Sequence, residues 1–304
     1  MIKKIFNIPN LLFAAAVATA FAGADFELKF PAAYLAALAA FEIAFIYRLI
    51  RAKTKITAAL DLYSVVFGFF LLWDLSVKVF KVLPYNLLPP PQNVFHVFTV
   101  DYADMLNGFF QSMYLIIVSV GLGMGFGIFF GLFVGWHKKA REAISPIINL
   151  IAAVPALVYA PYIVAIAPTF RSASIIVIFM GIFFPTMINM VSNVQNVGQK
   201  LIDSARSLNL SDFSILIKVL LPECAIPLLG SLRIRIATAF MILTMAETIG
   251  ADAGLGYYVK RWVAWSDYTK TFAGIILIAV VVTAINALIG LFERKALIWV
   301  KSPN

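Results

Sequence analysis

LIDSARSLNLSDFSILIKVLLP, residues 201–222, is the one long polar interruption in the C-terminal half of a very apolar chain. Leu201 to Leu208 has the length for two helical turns and carries Asp203, Ser204, Arg206 and Ser207. Asn209 follows where a helix needs a left-handed residue to stop, and after Gly, Asn tolerates that conformation best. Ser211 is a good N-cap for a second helix, with Asp212 in its first turn. Phe213, Ile217 and Leu220 lead that helix to Pro222, the expected turn into the next apolar run. A loop so structured, between membrane spans, is more than a connector.

The chain around it has 304 residues, 62% hydrophobic and 13% charged, with a mean hydropathy of +0.94. Runs of about 20 apolar residues signal transmembrane helices. A β-barrel would need short alternating strands, whereas these runs are continuous, so an all-α membrane protein is predicted. The single cysteine, Cys224, excludes an internal disulfide and a Cys-based metal site. The two histidines, His96 and His137, lie far apart, which leaves no multi-histidine metal site.

About eight spans are predicted. The first is Leu11 to Ala24, after a short basic start with Lys3 and Lys4. Ala22-Gly23-Ala24 before Asp25 also fits a signal-peptide cleavage site, so residues 1–24 carry a second reading. The others are Pro31–Ile50, Ile56–Val77, Gly108–Gly135, Ile144–Ala167, Ser172–Val194, Ala225–Ile249 and Thr271–Leu291. With eight alternating spans and a cytoplasmic N-terminus, 17 basic residues fall inside and 7 outside. The inner group includes Lys3, Lys4, Lys53, Lys55, Lys138, Lys139, Arg141, Arg206, Arg235 and Lys301; the outer includes Lys78. That bias puts both termini and the 201–222 loop in the cytoplasm. The net charge of +9 is then a matter of topology, and no nucleic-acid partner is expected.

Gly123, Gly127, Gly131 and Gly135 recur every four residues along one face of the fourth span, where helices can approach closely. Close packing within the chain is the plainer reading; a moving interface or a face lining a pathway is the other. Pro146, Pro155 and Pro161 in the fifth span, and Pro185 in the sixth, predict bends. Glu42, Asp61, Asp74 and Glu247 are acids in or near spans, each costly to bury and so a functional candidate. Glu42 and Asp61 are expected to be structural, paired with Lys, Arg or a hydroxyl. Glu247 follows Thr238 and Thr244 and precedes Gly254-Leu255-Gly256, a setting that suits a gate. With Met241 and Asn189, these residues form the candidate translocation path. No catalytic constellation is present, so the chain is read as a transport subunit and not an enzyme. It has no phosphate-cradling glycine loop for ATP.

The 201–222 stretch resembles the EAA loop of ABC-importer permeases: Glu-Ala-Ala, three residues, Gly, nine residues, Ile, one residue, Leu-Pro. Asp203-Ser204-Ala205, Asn209, Val219 and Leu221-Pro222 fall at those positions. The segments VPALVYAPYIV, IFMGIFFPTMINMVSNV, LLPECAIPLLGSLRIRIATAFMILTMAETIGADAGLGYYV and LFERKALIWV look like the nitrate, sulfonate, taurine and bicarbonate branch. The resemblance runs from about Leu88 to Val300. It departs at Ile166-Ala167-Pro168, where the branch usually has a Trp-Phe-Gly-like turn, and in an N-terminal extension.

The resemblance implies a six-helix type I permease core in residues 81–304 behind extra N-terminal helices in residues 1–80, with a coupling loop at 198–222. It implies a multi-pass protein of a bacterial cytoplasmic (inner) membrane, surrounded by lipid and paired with a second permease copy as a homodimer. ATP and Mg would bind a separate ABC ATPase, and an extracytoplasmic binding protein would deliver a small anion. Asp203, Ser204, Ala205, Arg206, Asn209, Leu221 and Pro222 would serve the ATPase contact. Two other readings stand beside it: an ion-coupled secondary transporter using Glu42, Asp61 or Glu247, and a non-transporting membrane scaffold. The two halves show no clear internal repeat, which counts against the former.

Overall fold

The computed structural model describes residues 7–51 and 56–296. Lys3, Lys4, Lys53, Lys55, Lys301 and the end of LFERKALIWV lie outside the described residues. Every regular element among the described residues is helical. Six helices among the described residues are long and apolar enough to cross a membrane, or up to eight if each of two bent helix pairs is one span. The chain divides into two compact units, Met1–Leu106 with Tyr258–Ile276, and Asn107–Tyr257 with Leu277–Asn304.

The first unit holds α1 (Ile8–Ala20), α2 (Ala32–Arg51), α3 (Ile56–Lys78) and α4 (Pro91–Val100). The 13 residues of α1 rise about 20 Å, short of the roughly 30 Å hydrocarbon layer. This corrects the expectation of a full first span: the apolar run Leu11–Ala24 is itself shorter than the roughly 17 residues a crossing helix needs, and its last residues leave the helix. Instead α1 lies on α3, where Phe13 meets Phe67 edge-on at 5.5 Å. Lys78, at the end of α3, is buried and holds three acceptors. They are the Thr19 carbonyl at 2.7 Å, Asp74 at 3.1 Å and Gln92 Oε1 at 3.0 Å. A lysine ammonium has three donors, so the group is fully used. Asp74 is thus a structural ion-pair partner, and Lys78 belongs to packing and not to an outer loop. The pairing expected for the other two acids is not found: Glu42 is half-buried with Oε2 unpartnered, and Asp61 is exposed, neither in an ion pair with another described residue.

The second unit contains most of α5 (Tyr102–Trp136), then α6 (Lys138–Ala152), α7 (Ala156–Ile166) and α8 (Phe170–Asn196). Next come α9 (Gln199–Ser207), α10 (Asp212–Ile215), α11 (Leu221–Gly230) and α12 (Leu232–Gly250). The helices α13 (Leu255–Ala264) and α14 (Tyr268–Ala296) complete the chain. The fifth predicted span is broken at Pro155, with α6 and α7 at 89°. α8 starts at Thr169, whose side chain accepts from the Ser172 N–H in a reciprocal capping box, satisfying donors the helix start would leave bare. Val177, Ile178, Ile182, Ala239, Phe240 and Leu243 form the core between α8 and α12. Arg235 is also buried there, donating to Thr186 Oγ1 at 2.6 Å and Ser231 Oγ at 3.2 Å. It is a packed side chain and not a loop charge.

The seventh span differs from its predicted bounds. A helical stretch runs from Asp212 through Gly230, and the break falls at Ser231, before α12. Pro222 therefore does not turn the chain. Residues 216–220 form a π-helical turn in which the Leu221 N–H reaches Leu216 O. Proline lacks an N–H and crowds the carbonyl four residues back. A wider turn just ahead of it removes that conflict without ending the helix.

Candidate functional site

α9 is a short amphipathic helix anchored on one side only. Ala205 is buried with Leu132, Met190, Val194, Ile215 and Leu220, and Ile202 packs against the same cluster. Asp203, Ser204, Arg206 and Ser207 are exposed. Gln199 Nε2 donates to Asp203 Oδ1 at 2.9 Å, one turn along the helix.

The helix ends in a defined stop. Asn209 has φ 59°; its N–H bonds to Arg206 O at 2.9 Å, and the Leu210 N–H to Ala205 O at 3.3 Å. That pair of bonds is the Schellman arrangement, which satisfies the last carbonyls of a helix through one left-handed residue. Ser211 then caps α10, accepting from the Ser214 N–H at 3.3 Å. Leu208 and Phe213, 75% and 73% exposed, flank this bend. No sequence pattern marks these two apolar side chains as outward-facing, because both fit a buried-face pattern. Leu221 is half-buried against the same cluster that holds α9, and Pro222, beside it at the π turn, is exposed.

A second constellation surrounds Glu247, which is wholly buried. Ser112 Oγ donates to Glu247 Oε1 at 2.6 Å, and the Gly256 N–H donates to Oε2 at 2.6 Å. Ser112 Oγ in turn accepts the Leu255 N–H at 2.9 Å. The carboxylate thus ties α12, the turn into α13 and α5 together. Gly254 lies at φ 128°, and a β-carbon there would stand 2.3 Å from Glu247 Oε1. Ser112 is a partner 135 residues away in sequence, and nothing local could have shown it.

The other candidate path residues do not join this cluster. Met241 is 69% exposed and shares an open face of α12 with Ile234, while Thr238 is half-buried beside them. At 100° per residue, Glu247 falls on the opposite side of that helix. The Thr238 and Thr244 hydroxyls donate to the carbonyls one turn back, Ile234 O and Phe240 O, both at 2.9 Å. Asn189 is exposed on α8.

The glycine row of α5 lies on α8. β-Carbons at Gly123, Gly127, Gly131 and Gly135 would stand 3.0, 2.7, 2.6 and 2.8 Å from the Cβ atoms of Ile182, Thr186, Met190 and Val194. Each step of four on one helix meets a step of four on the other. Gly121 and Gly125 have open space where a β-carbon would go.

These elements define a polytopic helical membrane protein with an ordered polar loop fixed to its apolar core. The model of a family described as the inner membrane component of binding-protein-dependent transport systems matches residues 123–298, and the chain belongs to that family. SsuC of Bacillus subtilis (strain 168), named as an aliphatic sulfonates transport permease, is 30% identical over 220 residues, covering 72% of this chain and 80% of that protein. The taurine transport system permease protein TauC of Escherichia coli (strain K12) is 28% identical over 231 residues, 74% of this chain and 84% of that one. The nitrate import permease protein NrtB of Leptolyngbya laminosa is 30% identical over 156 residues, 51% and 55% of the two chains. Among solved structures, an inward-facing MetNI methionine ABC transporter chain aligns with a TM-score of 0.57 at 20% identity, covering 64% of this chain and 96% of that one. That likeness is one of fold.

Proposed function

We propose that this chain is the membrane subunit of an ATP-driven importer that carries a small anion of the sulfonate, taurine, nitrate or bicarbonate type. The observation that carries the reading is the one-sided anchoring of α9, with its Schellman stop at Asn209 and its outward face of Asp203, Ser204, Ser207 and Leu208. A helix held by Ala205 and Ile202, and ended at a fixed angle, can carry a push from a partner into the core. The partner is an ABC ATPase that binds ATP and Mg, and Asp203 and Arg206 offer it opposite charges. Leu208 and Phe213 add an apolar anchor on the same exposed bend.

In this reading two copies pair, each engaging one ATPase, and an extracytoplasmic binding protein supplies the anion at the far side. The basic residues Lys200, Arg206 and Lys218 of the 198–222 loop support a cytoplasmic placement for that loop. Residues 81–304 form the permease domain and residues 1–80 an added membrane segment. Thr238 and Met241, on the open face of α12, line the path or the contact between copies. Glu247 acts as a fixed staple behind that face.

The test is replacement of Asp203–Asn209 by a Gly-Ser linker in the full chain. Loss of ATPase co-purification and of ATP-dependent uptake is expected, with the permease still in the membrane. Unchanged co-purification and uptake would overturn the reading. Uptake that ignores ATP and collapses with an ion gradient would favour a secondary transporter instead.

A further inference from the structure

We propose that a recess beside α9 binds the phosphate of an anionic phospholipid. The recess, of about 600 Å³, lies among the ends of α5 and α8, the start of α6 and the flank of α9. Trp136, Arg141, Gln195, Gln199, Arg206 and Asp212 line it. Arg141 Nη1 donates to Gly135 O at 2.9 Å, one of the five donors of its guanidinium. Arg206 lies over the Trp136 ring at 5.7 Å. Neither guanidinium forms an ion pair with a described carboxylate, Asp212 included. Two cations against one acid leave the lining of the recess net positive, and Gln195 adds amide donors, while the Gln199 amide is bonded to Asp203.

Position selects the source of the anion. Trp136 ends an apolar helix of 35 residues, at the polar boundary where tryptophan and basic side chains collect. Lys138 and Lys139 are exposed immediately beyond it. Phe129 and Phe133, 66% and 52% exposed, precede Trp136 by seven and three residues and so share its side of α5. An acyl chain laid along those rings would bring its phosphate to Arg141 and Arg206. A lipid held there bridges the α5–α6 corner to α9, the helix read above as the ATPase contact. The recess proposal itself needs only that the chain spans a membrane.

The test uses the full chain, purified in mild detergent with any ATPase that accompanies it. Phosphatidylglycerol and phosphatidylcholine of matched acyl chains are added, and lipid retained on the permease is counted by native mass spectrometry. Retention of phosphatidylglycerol over phosphatidylcholine is expected in the wild type, falling about fivefold in Arg141→Gln, the effect of one basic group at an anionic lipid surface. Arg141→Lys should keep most of it, and Arg171→Gln, outside the recess, should keep all of it. Equal retention of the two lipids, or equal phosphatidylglycerol on wild type and Arg141→Gln, overturns the proposal. So does displacement of the lipid by millimolar inorganic phosphate, which assigns the recess to a soluble anion. A cross-link from Arg141→Cys to the ATPase in phosphatidylglycerol-filled membranes assigns it to the protein partner. ATPase co-purification is scored separately, so a failure here is not read as failure of the transport reading.

Discussion

The carboxylate of Glu247 fills the space that a β-carbon on Gly254 would occupy, with Oε1 2.3 Å from that position. The same glycine sits at φ 128°, a conformation L side chains rarely adopt. Two independent penalties therefore fall on Gly254→Ala. The backbone strain alone is worth about 1–3 kcal/mol, and the contact adds to it. A lowered thermal midpoint of the purified protein is the expected result. In the pair Gly254→Ala with Glu247→Ala the contact is gone while the strain persists, so the two losses should fall short of additivity. Additive losses would show that the carboxylate and the glycine do not meet.

Glu247→Gln tests the role of the same group from the other side. Its oxygens accept from Ser112 Oγ and the Gly256 N–H. An amide presents a second donor to one of those donors, leaving a buried bond unmade at a cost of about 1–3 kcal/mol. A staple predicts lower stability, with residual uptake still driven by ATP. Uptake abolished at full stability would instead make Glu247 a coupling carboxylate.

On α5 two glycines separate packing from backbone freedom. A β-carbon on Gly131 would stand 2.6 Å from Met190 Cβ and 2.8 Å from Met187 O, whereas Gly125 has nothing within 4 Å. Gly131→Ala must push α5 off α8, an overpacking cost of about 1–3 kcal/mol. Gly125→Ala should be neutral or slightly stabilising, since alanine is the better helix former. Thermal unfolding of the two variants in one detergent makes the comparison. Equal effects would mean the glycine row does not set the helix spacing.

What the sequence carried was local. The left-handed stop at Asn209 and the cap at Ser211 rest on bonds three to five positions long, and the loop follows them. The row of glycines repeats at the helical period, so its common face was legible. Its partner was not, because Ile182, Thr186, Met190 and Val194 are ordinary apolar-helix residues until the packing is known. Glu247 was marked as unusual by its surroundings, but its tie to Ser112 spans 135 positions and leaves no periodic trace. Pro222 misled for a different reason. A π turn forms from backbone hydrogen bonds, without a residue pattern that announces it, and it let the helix continue where proline signals an end.

The extra N-terminal helices have their own internal lock at Lys78 and Asp74, whose side chains are 2% and 0% exposed. Removing one partner of a buried pair leaves a charge unmatched, at about 3–5 kcal/mol. Lys78→Met should therefore unfold or misassemble α1 on α3, read as increased proteolysis between α1 and α2. The pair Lys78→Met with Asp74→Leu removes both charges and should recover much of that loss. No recovery would mean that the ammonium's bonds to Thr19 O and Gln92, and not its charge, hold the unit.

Asn209 gives the sharpest test of the α9 bend, because its conformation and its chemistry can be separated. A left-handed residue other than glycine costs roughly 1–2 kcal/mol in steric terms, more for a branched side chain than for asparagine. Asn209→Gly keeps the Schellman bonds and should leave ATPase co-purification and uptake close to wild type. Asn209→Val opposes φ 59° and should free the end of α9, turning Leu208 and Phe213 away from a common surface. Loss of ATPase binding in the valine variant but not the glycine one is the expected outcome, with protein level in the membrane measured alongside. If both variants lose the ATPase, the asparagine side chain itself makes the contact. If neither does, the angle of the bend is not what the partner reads.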